Sequence, residues 1–184
     1  MDYHMISGYG ILTLVIFRVI WGLIGSTHSR FRSFVNLSEL IPYTRRLLKR
    51  DQAKIAGHNP LGALSIIAML LVLGTQATTG LFANDDIFLE GPLVHLVDDA
   101  TSDRLTTVHH FCAKALYVLI GLHLAAIIFH EIYKRERLVL PMISGYKKGL
   151  PASVDKPSFR REYVTASGLL ATCAGFVYWL VKYV

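Results

Sequence analysis

Charged residues are scarce in this chain of 184 residues, in which only 17% are Asp, Glu, Lys or Arg. Water-soluble domains contain about 25% of these residues, so the composition argues against a cytosolic globular enzyme. Hydrophobic residues make up 53% of the sequence, and the mean hydropathy is +0.43. Because disordered chains have low hydrophobicity, the same composition also excludes a disordered protein.

Cysteines and the common catalytic motifs are sparse as well. The two cysteines, Cys112 and Cys173, lie inside apolar runs and fit neither a disulfide framework nor a CxxC metal motif. The chain has no GxGxxG loop and no arrangement typical of a nucleophilic enzyme. These absences exclude a nucleotide-binding domain and indicate that side chains do not carry out bond-making by themselves.

Long apolar stretches are what the sequence does contain. A helix needs about 20 apolar residues to cross a bilayer, and four stretches reach that length. Arg18 and Lys114 are the only Asp, Glu, Lys or Arg residues in the first and third stretches, and the second has none. The sequence therefore predicts an all-α fold, a polytopic membrane helix bundle with four transmembrane helices. The four stretches are Met5–Ser26, Leu61–Ala83, Leu105–His130 and Tyr163–Val184.

The loops between these stretches alternate in charge. Residues 28–54 and 131–162 are rich in lysine and arginine, whereas residues 84–104 contain six acidic residues and one arginine. Positively charged loops remain in the cytoplasm, so the pattern predicts a multi-pass protein of a bacterial inner membrane with its acidic loop outside. The same topology accounts for the net charge of +6 without a nucleic-acid partner.

The first basic loop contains a segment, Ile41–Asn59, that is predicted to form a short amphipathic helix followed by a loop. Tyr43, Leu47 and Leu48 would lie on the lipid headgroups while nearby arginines contact anionic lipid. Pro60 is expected to begin the second span, because proline is tolerated in the first turn of a helix.

Histidines within the apolar stretches are the candidate functional residues, since ionisable groups inside a span are costly and often functional. His109 and His123 are 14 residues apart, which places both on one side of the third helix and about 21 Å apart along its axis. His4 lies at about the depth of His109, and Gly8, one turn along, lets a flat macrocycle or another helix approach. The spacing is compatible with axial ligation of haem iron, and also with a proton relay or helix–helix hydrogen bonds.

Arg18 lies 14 residues from His4, hence on the same face and at about the depth of His123. A buried arginine needs a partner, for which a haem propionate, a quinone oxygen or a carboxylate would serve. The alternative is an arginine that extends its side chain to the interface. Lys114 lies between the two histidine levels, where it could neutralise a propionate or a carboxylate.

The other histidines are weaker candidates. His110 is expected to face another direction than His109, although an exchange of the two as ligand is conceivable. His130 is expected to lie at the membrane interface, and His95, in the acidic loop, is not predicted as a ligand. His28 and His58 lie at the cytoplasmic boundary. They could line a quinone or propionate pocket, or they could satisfy backbone groups of the loop.

Several stretches together resemble the prokaryotic cytochrome b561 family, which includes the cytochrome b subunit of nickel-iron hydrogenases. The resemblance covers roughly residues 1–149 and implies a transmembrane haem domain there, followed by a cytoplasmic linker over 150–162 and an additional transmembrane helix over 163–184. The stretches that carry it are His4-Met5-Ile6-Ser7-Gly8-Tyr9, Phe17-Arg18-Val19-Ile20-Trp21-Gly22, Gly25-Ser26-Thr27-His28-Ser29-Arg30-Phe31, Gly57-His58-Asn59-Pro60-Leu61-Gly62-Ala63, the pair His109 and His123, and Met142-Ile143-Ser144-Gly145.

The resemblance implies a b-type cytochrome with two haems. By comparison with the family, His4 and His109 correspond to the ligands of an outer haem, and His123 corresponds to one ligand of an inner haem. The other inner ligand lies on the family's first helix, which has no counterpart in this chain. Either the sequence is truncated at an internal methionine, or the protein has one conventional haem and an incompletely ligated second site.

The function implied is electron transfer through haem b between a periplasmic partner, such as a c-type cytochrome or a hydrogenase-like protein, and the quinone pool of a respiratory chain. The acidic outer loop would suit a basic partner surface. One alternative is a superoxide:quinone oxidoreductase, although the cationic outer surface expected for attracting superoxide is not evident. The other is a haem-poor membrane anchor of a redox complex.

Overall fold

The computed structural model describes residues 2–26, 29–47, 59–85, 89–144 and 159–184. Within these ranges the chain contains no strand, and its one β contact is an isolated bridge between Asn84 and Glu90. The α-helices are α1 (Asp2–Ile24), α2 (Phe31–Phe34), α3 (Leu40–Arg46), α4 (Pro60–Gly80), α5 (Asp99–Ile128), α6 (Val139–Ser144) and α7 (Phe159–Tyr183). Of these, α1, α4, α5 and α7 are long and apolar enough to cross a membrane. The prediction of an all-α bundle with four transmembrane helices is therefore confirmed.

Side-chain caps fix where α4 and α5 begin. The side chain of Asn59 accepts a hydrogen bond from the backbone N–H of Gly62 at 2.7 Å, and Pro60 occupies the first turn, as predicted. Asp98 likewise accepts from the backbone N–H of Thr101 at 2.7 Å. The helix α5 consequently begins six residues before the predicted start at Leu105, since its first turns are polar and do not belong to the apolar stretch.

The other end of α5 departs from regular α-helix. It continues into a π-helical turn over Phe129–Tyr133, and the chain then bends at Arg135, whose φ of 53° lies in the left-handed region. The carboxylate of Glu131 accepts hydrogen bonds from the backbone N–H groups of Leu138 at 2.8 Å and Val139 at 2.9 Å. These contacts hold the start of α6 against the end of α5.

The long helices pack side by side. The helix α4 packs against α5 on one side and against α1 on the other, and α1 also packs against α7. Many large apolar side chains on these helices are exposed, such as Phe111, which is 70% exposed. Soluble proteins rarely leave a continuous surface of this kind in water, whereas a bilayer would cover it. The four apolar helices and their exposed apolar surfaces thus indicate a multi-pass membrane protein.

The segment Ile41–Asn59 differs from its prediction. Its described part is helical only through α3, and residues 48–58, including Leu48, lie outside the described residues. The expected position of Tyr43 on the headgroups is wrong, because its side chain is buried and its hydroxyl lies 3.5 Å from Nε2 of His130. Leu47 is half-buried.

Candidate functional site

The bundle has two chemically distinct ends. The acidic end comprises residues 84–85 and 89–104 with the first turns of α1, the last turns of α4 and the adjoining part of α5. The basic end comprises residues 29–47 and 129–144 with the first turns of α4. The candidate ligands His4 and His109 lie at the acidic end, whereas Arg18 and His123 lie toward the basic end.

His4 and His109 come together between α1 and α5. Their ring centroids are 6.0 Å apart, and the ring planes make an angle of 79°. His4 is exposed and His109 is half-buried. Two imidazoles that bind one metal ion through bonds of about 2 Å have ring centres roughly 6 Å apart. The observed separation is compatible with two histidines that hold one haem iron, although His109 and its neighbour His110 are separated by a similar 6.2 Å.

The hydrogen bonds of His109 determine which ring nitrogen can bind a metal. Its Nδ1 lies 2.9 Å from the backbone carbonyl oxygen of Gln76, which can only accept, so Nδ1–H is the donor. The neutral ring then carries its lone pair on Nε2, to which the Gln76 side-chain amide donates at 2.9 Å. In metal-binding histidines, one ring nitrogen usually donates its proton to a carbonyl oxygen or a carboxylate, and the other ring nitrogen binds the metal. Thr79 Oγ1 also lies 3.5 Å from Nδ1.

Three features around this pair fit a bound haem. The Gln76 Oε1 atom is buried and has no hydrogen-bond partner in the described part of the chain, so the polar contacts are incomplete as they stand. At Gly80, a Cβ would lie 2.9 Å from Cε1 of His109, so only glycine lets the ring take this position. At Gly8, a Cβ would meet nothing within 4 Å, so α1 has an open side near His4. In the described ranges no three His, Cys, Asp or Glu side chains cluster as a metal site, whereas haem iron needs only two axial ligands from the protein.

His123 has fewer polar contacts. It is half-buried on α5, and its Nδ1 lies 3.4 Å from the hydroxyl of Ser65 on α4, which is a long and weak hydrogen bond. The structure places it on the same helix as His109, toward the basic end.

Arg18 finds its partner in the loop that follows α1. Its NH1 donates to the backbone carbonyl of Ser29 at 3.2 Å. Its guanidinium carbon lies 4.8 Å from the centroid of the Phe31 ring and 6.0 Å from that of Phe34. The Arg18 guanidinium thus contacts a carbonyl oxygen and two aromatic rings. Sequence reasoning expected a propionate, a quinone oxygen or a carboxylate as its partner.

The remaining histidines have varied surroundings. His110 is exposed, and His95 contacts the backbone oxygen of Val184 at 2.9 Å through its Nε2. His130 is buried, with Nδ1 2.8 Å from Glu136 Oε2, and its expected depth at the membrane interface stays a prediction. His28 and His58 lie outside the described residues, and Lys114 is exposed on α5.

Sequence reasoning did not identify Gln76, Thr79 or Gly80 as part of the site. A signal was present, because Thr75-Gln76-Ala77-Thr78-Thr79 is a polar run within an otherwise apolar span. The register between α4 and α5 determines that this run faces His109, and a sequence pattern does not give that register.

A membrane helix bundle that pairs imidazoles from two spans has the design of a b-type cytochrome. The family comparison agrees with this class: residues 1–145 match the family described as prokaryotic cytochrome b561. The chain belongs to that family. The match ends before α7 begins.

Curated relatives carry the name "Probable Ni/Fe-hydrogenase B-type cytochrome subunit". The protein from Azotobacter vinelandii is 26% identical over 166 residues, covering 78% of this chain and 66% of the relative. That from Rhizobium leguminosarum bv. viciae is 28% identical over 163 residues, covering 77% and 66%. The chain thus spans about two thirds of the length of these relatives. No solved structure shows significant similarity to it.

Proposed function

We propose that this chain is an electron-transfer cytochrome of a bacterial inner membrane. It would pass electrons through haem b between a redox partner outside the membrane and the quinone pool of a respiratory chain. The observation that carries the proposal is the pair of imidazoles at 6.0 Å, one of them fixed in the tautomer that leaves Nε2 as a ligand.

His4 and His109 would hold the haem, and the haem iron would supply one-electron transfer when it is bound. The Gln76 carbonyl accepts the Nδ1 proton of His109, which orients the ring and makes Nε2 more basic. Gly80 leaves room for the ring, and Gly8 leaves room beside His4. The haem-binding part would comprise residues 1–149, with 150–162 as a linker and 163–184 as an additional transmembrane helix.

A second haem at the basic end would use His123, which supplies one ligand. Ser65 already lies near its Nδ1, so Nε2 is the nitrogen left for iron. Arg18 is proposed to contact a propionate there, in addition to its described bond with Ser29. With only one ligand assigned from this chain, the basic-end site is the weaker of the two.

The redox partner would dock at the acidic end. Glu90, Asp98, Asp99 and Asp103 are exposed there, and such a surface attracts a basic partner and increases the rate of encounter. The names of the relatives favour a hydrogenase-like partner, and a c-type cytochrome has the same requirement for complementary charge. Quinone would exchange electrons at the other end of the bundle.

The test is a reduced-minus-oxidised visible spectrum of the purified full chain in detergent. We expect the α band of a b-type haem, and we expect quinol to reduce that haem when the protein is in vesicles. A preparation without protohaem would contradict the proposal and leave a membrane anchor as the remaining function. Haem that neither quinol nor a basic redox partner can reduce would contradict the electron-transfer route.

A further inference from the structure

The basic end holds a second group of titratable side chains, which the proposed haem ligands do not involve. His130 is 6% exposed, Lys134 is 7% exposed and Tyr43 is 9% exposed. With Glu136, whose Oε2 lies 2.8 Å from Nδ1 of His130, they form what is called here the basic-end cluster. Tyr43 comes from α3 and the other three come from the end of α5 and the turn after it. So many buried ionisable groups at a membrane boundary are costly and suggest a function.

The hydrogen bonds leave one nitrogen of His130 able to accept a proton. Burial, and then the negative charge of Glu136, raise the pKa of Tyr43 to about 12, so its hydroxyl keeps its proton at physiological pH. That hydroxyl can donate to Nε2 of His130, but at 3.5 Å the bond is at the limit of length. On the other side of the ring, Nδ1–H donates to the Glu136 carboxylate at 2.8 Å. A proton that binds at Nε2 would therefore replace only a weak hydrogen bond. The Tyr43 hydroxyl could then rotate and accept a hydrogen bond from the new Nε2–H group.

Other charged side chains lie around His130 and Tyr43. Lys134 Nζ is buried, lies 5.5 Å from the centroid of the Tyr43 ring, and has no hydrogen-bond partner in the described part of the chain. Glu131 is already engaged by two backbone N–H groups. The nearby arginines of the described chain are exposed to solvent, namely Arg45 on α3 and Arg135 and Arg137 after α5. The Glu136 carboxylate contacts His130, and Lys134 lies over the Tyr43 ring, so a proton taken up at Nε2 of His130 would add one positive charge to the cluster.

We propose that the basic-end cluster is a proton-binding site linked to electron transfer at the His123 end of the bundle. His130 lies seven residues after His123, and the last two of these seven belong to the π-helical turn that continues α5, which places His130 roughly 10 Å further along the same helical segment. At that separation, one added electron changes the proton affinity of a site roughly tenfold at an effective dielectric constant of about 20. One electron arrives from the redox partner and one proton arrives from the cytoplasm at Nε2 of His130, and both leave on oxidation.

This inference rests on the proposed function, and in particular on a haem at His123. The test is a redox titration of the purified full chain between pH 6 and pH 8, followed through the haem α band. We expect the midpoint potential of one haem component to fall as the pH rises. His130→Gln should abolish this dependence, and Glu136→Gln, which changes a partly exposed residue and spares the helix, should weaken it. His110→Gln, an exposed histidine near the other pair, is the control that should keep it.

The outcomes separate the two proposals. Absence of haem would overturn both. Haem with a midpoint potential that does not change with pH would overturn the proton site alone, as would a dependence that survives both His130→Gln and Glu136→Gln. If His130→Gln fails to fold, Glu136→Gln decides: an unchanged dependence in that variant counts against the proposal. Uptake of protons on reduction, followed with a pH-indicator dye in weakly buffered solution, should be lost in parallel with the pH dependence.

Discussion

The two ends of the bundle hold their candidate ligands in different ways. At the acidic end, Gln76 contacts both ring nitrogens of His109 at 2.9 Å, and His4 faces the same ring across 6.0 Å. At the basic end, His123 has one long contact of 3.4 Å with Ser65. Hydrogen bonds within the chain thus orient the candidate ligand at the acidic end, whereas the candidate ligand at the basic end has only a weak one.

This difference predicts that the two ends of the bundle have different functions. The bond from Nδ1–H of His109 to the Gln76 carbonyl orients the ring before haem binds, whereas the Gln76 amide must first leave Nε2. Because this end has two candidate ligands and one oriented ring, it should bind haem more tightly. The basic end instead collects charged and titratable groups, including Arg18 and the basic-end cluster. Electrons would therefore be held at one end and coupled to protons at the other.

The largest expected effect comes from removing the anchored ligand. His109→Ala should lower the haem affinity of the acidic end roughly hundredfold or more, because a ligand and its oriented ring are both lost. The measurement is the ratio of haem to protein in membranes purified in parallel with His110→Ala, an exposed neighbour on the same helix. A normal ratio in His109→Ala, or an equal loss in His110→Ala, would place the ligand elsewhere.

His123→Ala should have a smaller effect on total haem. We expect it to remove at most the basic-end component and to leave the acidic-end spectrum unchanged, since the two residues lie about 21 Å apart on α5. Haem content and the shape of the α band in the same preparation measure this. If His123→Ala lost more haem than His109→Ala, the order of the two ends would be reversed.

Gly8 tests the open side of α1. Gly8→Leu meets no atom within 4 Å of its Cβ in the structure, so the fold should tolerate it, but the side chain would occupy the space proposed for the macrocycle. We expect haem affinity to fall roughly tenfold, as overpacking does elsewhere. Gly168→Leu on α7 also has nothing near its Cβ and should leave haem binding unchanged. Equal affinities in the two variants would mean that no ring lies beside Gly8.

Substitution of Gln76 tests how its hydrogen bond to His109 affects haem binding. Its side-chain amide donates to the nitrogen of His109 that iron would need, so Gln76→Leu should raise the haem affinity of the haem-free chain roughly fivefold, the value of one net hydrogen bond. Titration of haem into reconstituted protein measures this, with Thr75→Val, an exposed residue of the same helix, as control. A weaker affinity in Gln76→Leu would show that the amide supports haem binding.

The smallest expected effect is on the pH dependence of stability, through the residues that cap α4 and α5. Hydrogen bonds from Thr101, through its side chain and its backbone, lower the pKa of Asp98, so this cap stabilises α5 when the carboxylate is charged. This stabilisation is complete when the pH is above the pKa that Asp98 has in the unfolded chain. It is lost as the pH falls through the lower pKa that Asp98 has in the folded chain. Asp98→Asn should remove this part of the acid sensitivity in thermal melts between pH 3 and pH 7. Asn59, which caps α4, has no charge to lose, so Asn59→Ser should leave the pH profile unchanged.

Much of the fold could be predicted because it depends on local signals. The length of the apolar stretches predicted the four spans, and the position of Pro60 predicted where α4 begins. The polar start of α5 was missed because the cap at Asp98 extends the helix beyond the apolar stretch. The positions of His4 and His109 within their spans also placed them at about one depth, and their rings are 6.0 Å apart in the structure.

Contacts between elements could not be predicted in the same way. The bonds between Gln76 and His109 depend on the register of α4 against α5, and the partner of Arg18 depends on a loop that folds back after α1. The π-helical turn at Phe129–Tyr133 and the bend at Arg135 precede the contact of Glu136 with His130. None of these has a sequence period that would reveal it.

The most direct test of the paired ligands is low-temperature electron paramagnetic resonance of the oxidised, purified chain. The account predicts a low-spin ferric signal from two axial imidazoles that is lost in His4→Ala and in His109→Ala alike, with a high-spin signal or no haem in its place. A low-spin bis-imidazole signal that is unchanged in His4→Ala would contradict the pairing of α1 with α5 around one iron.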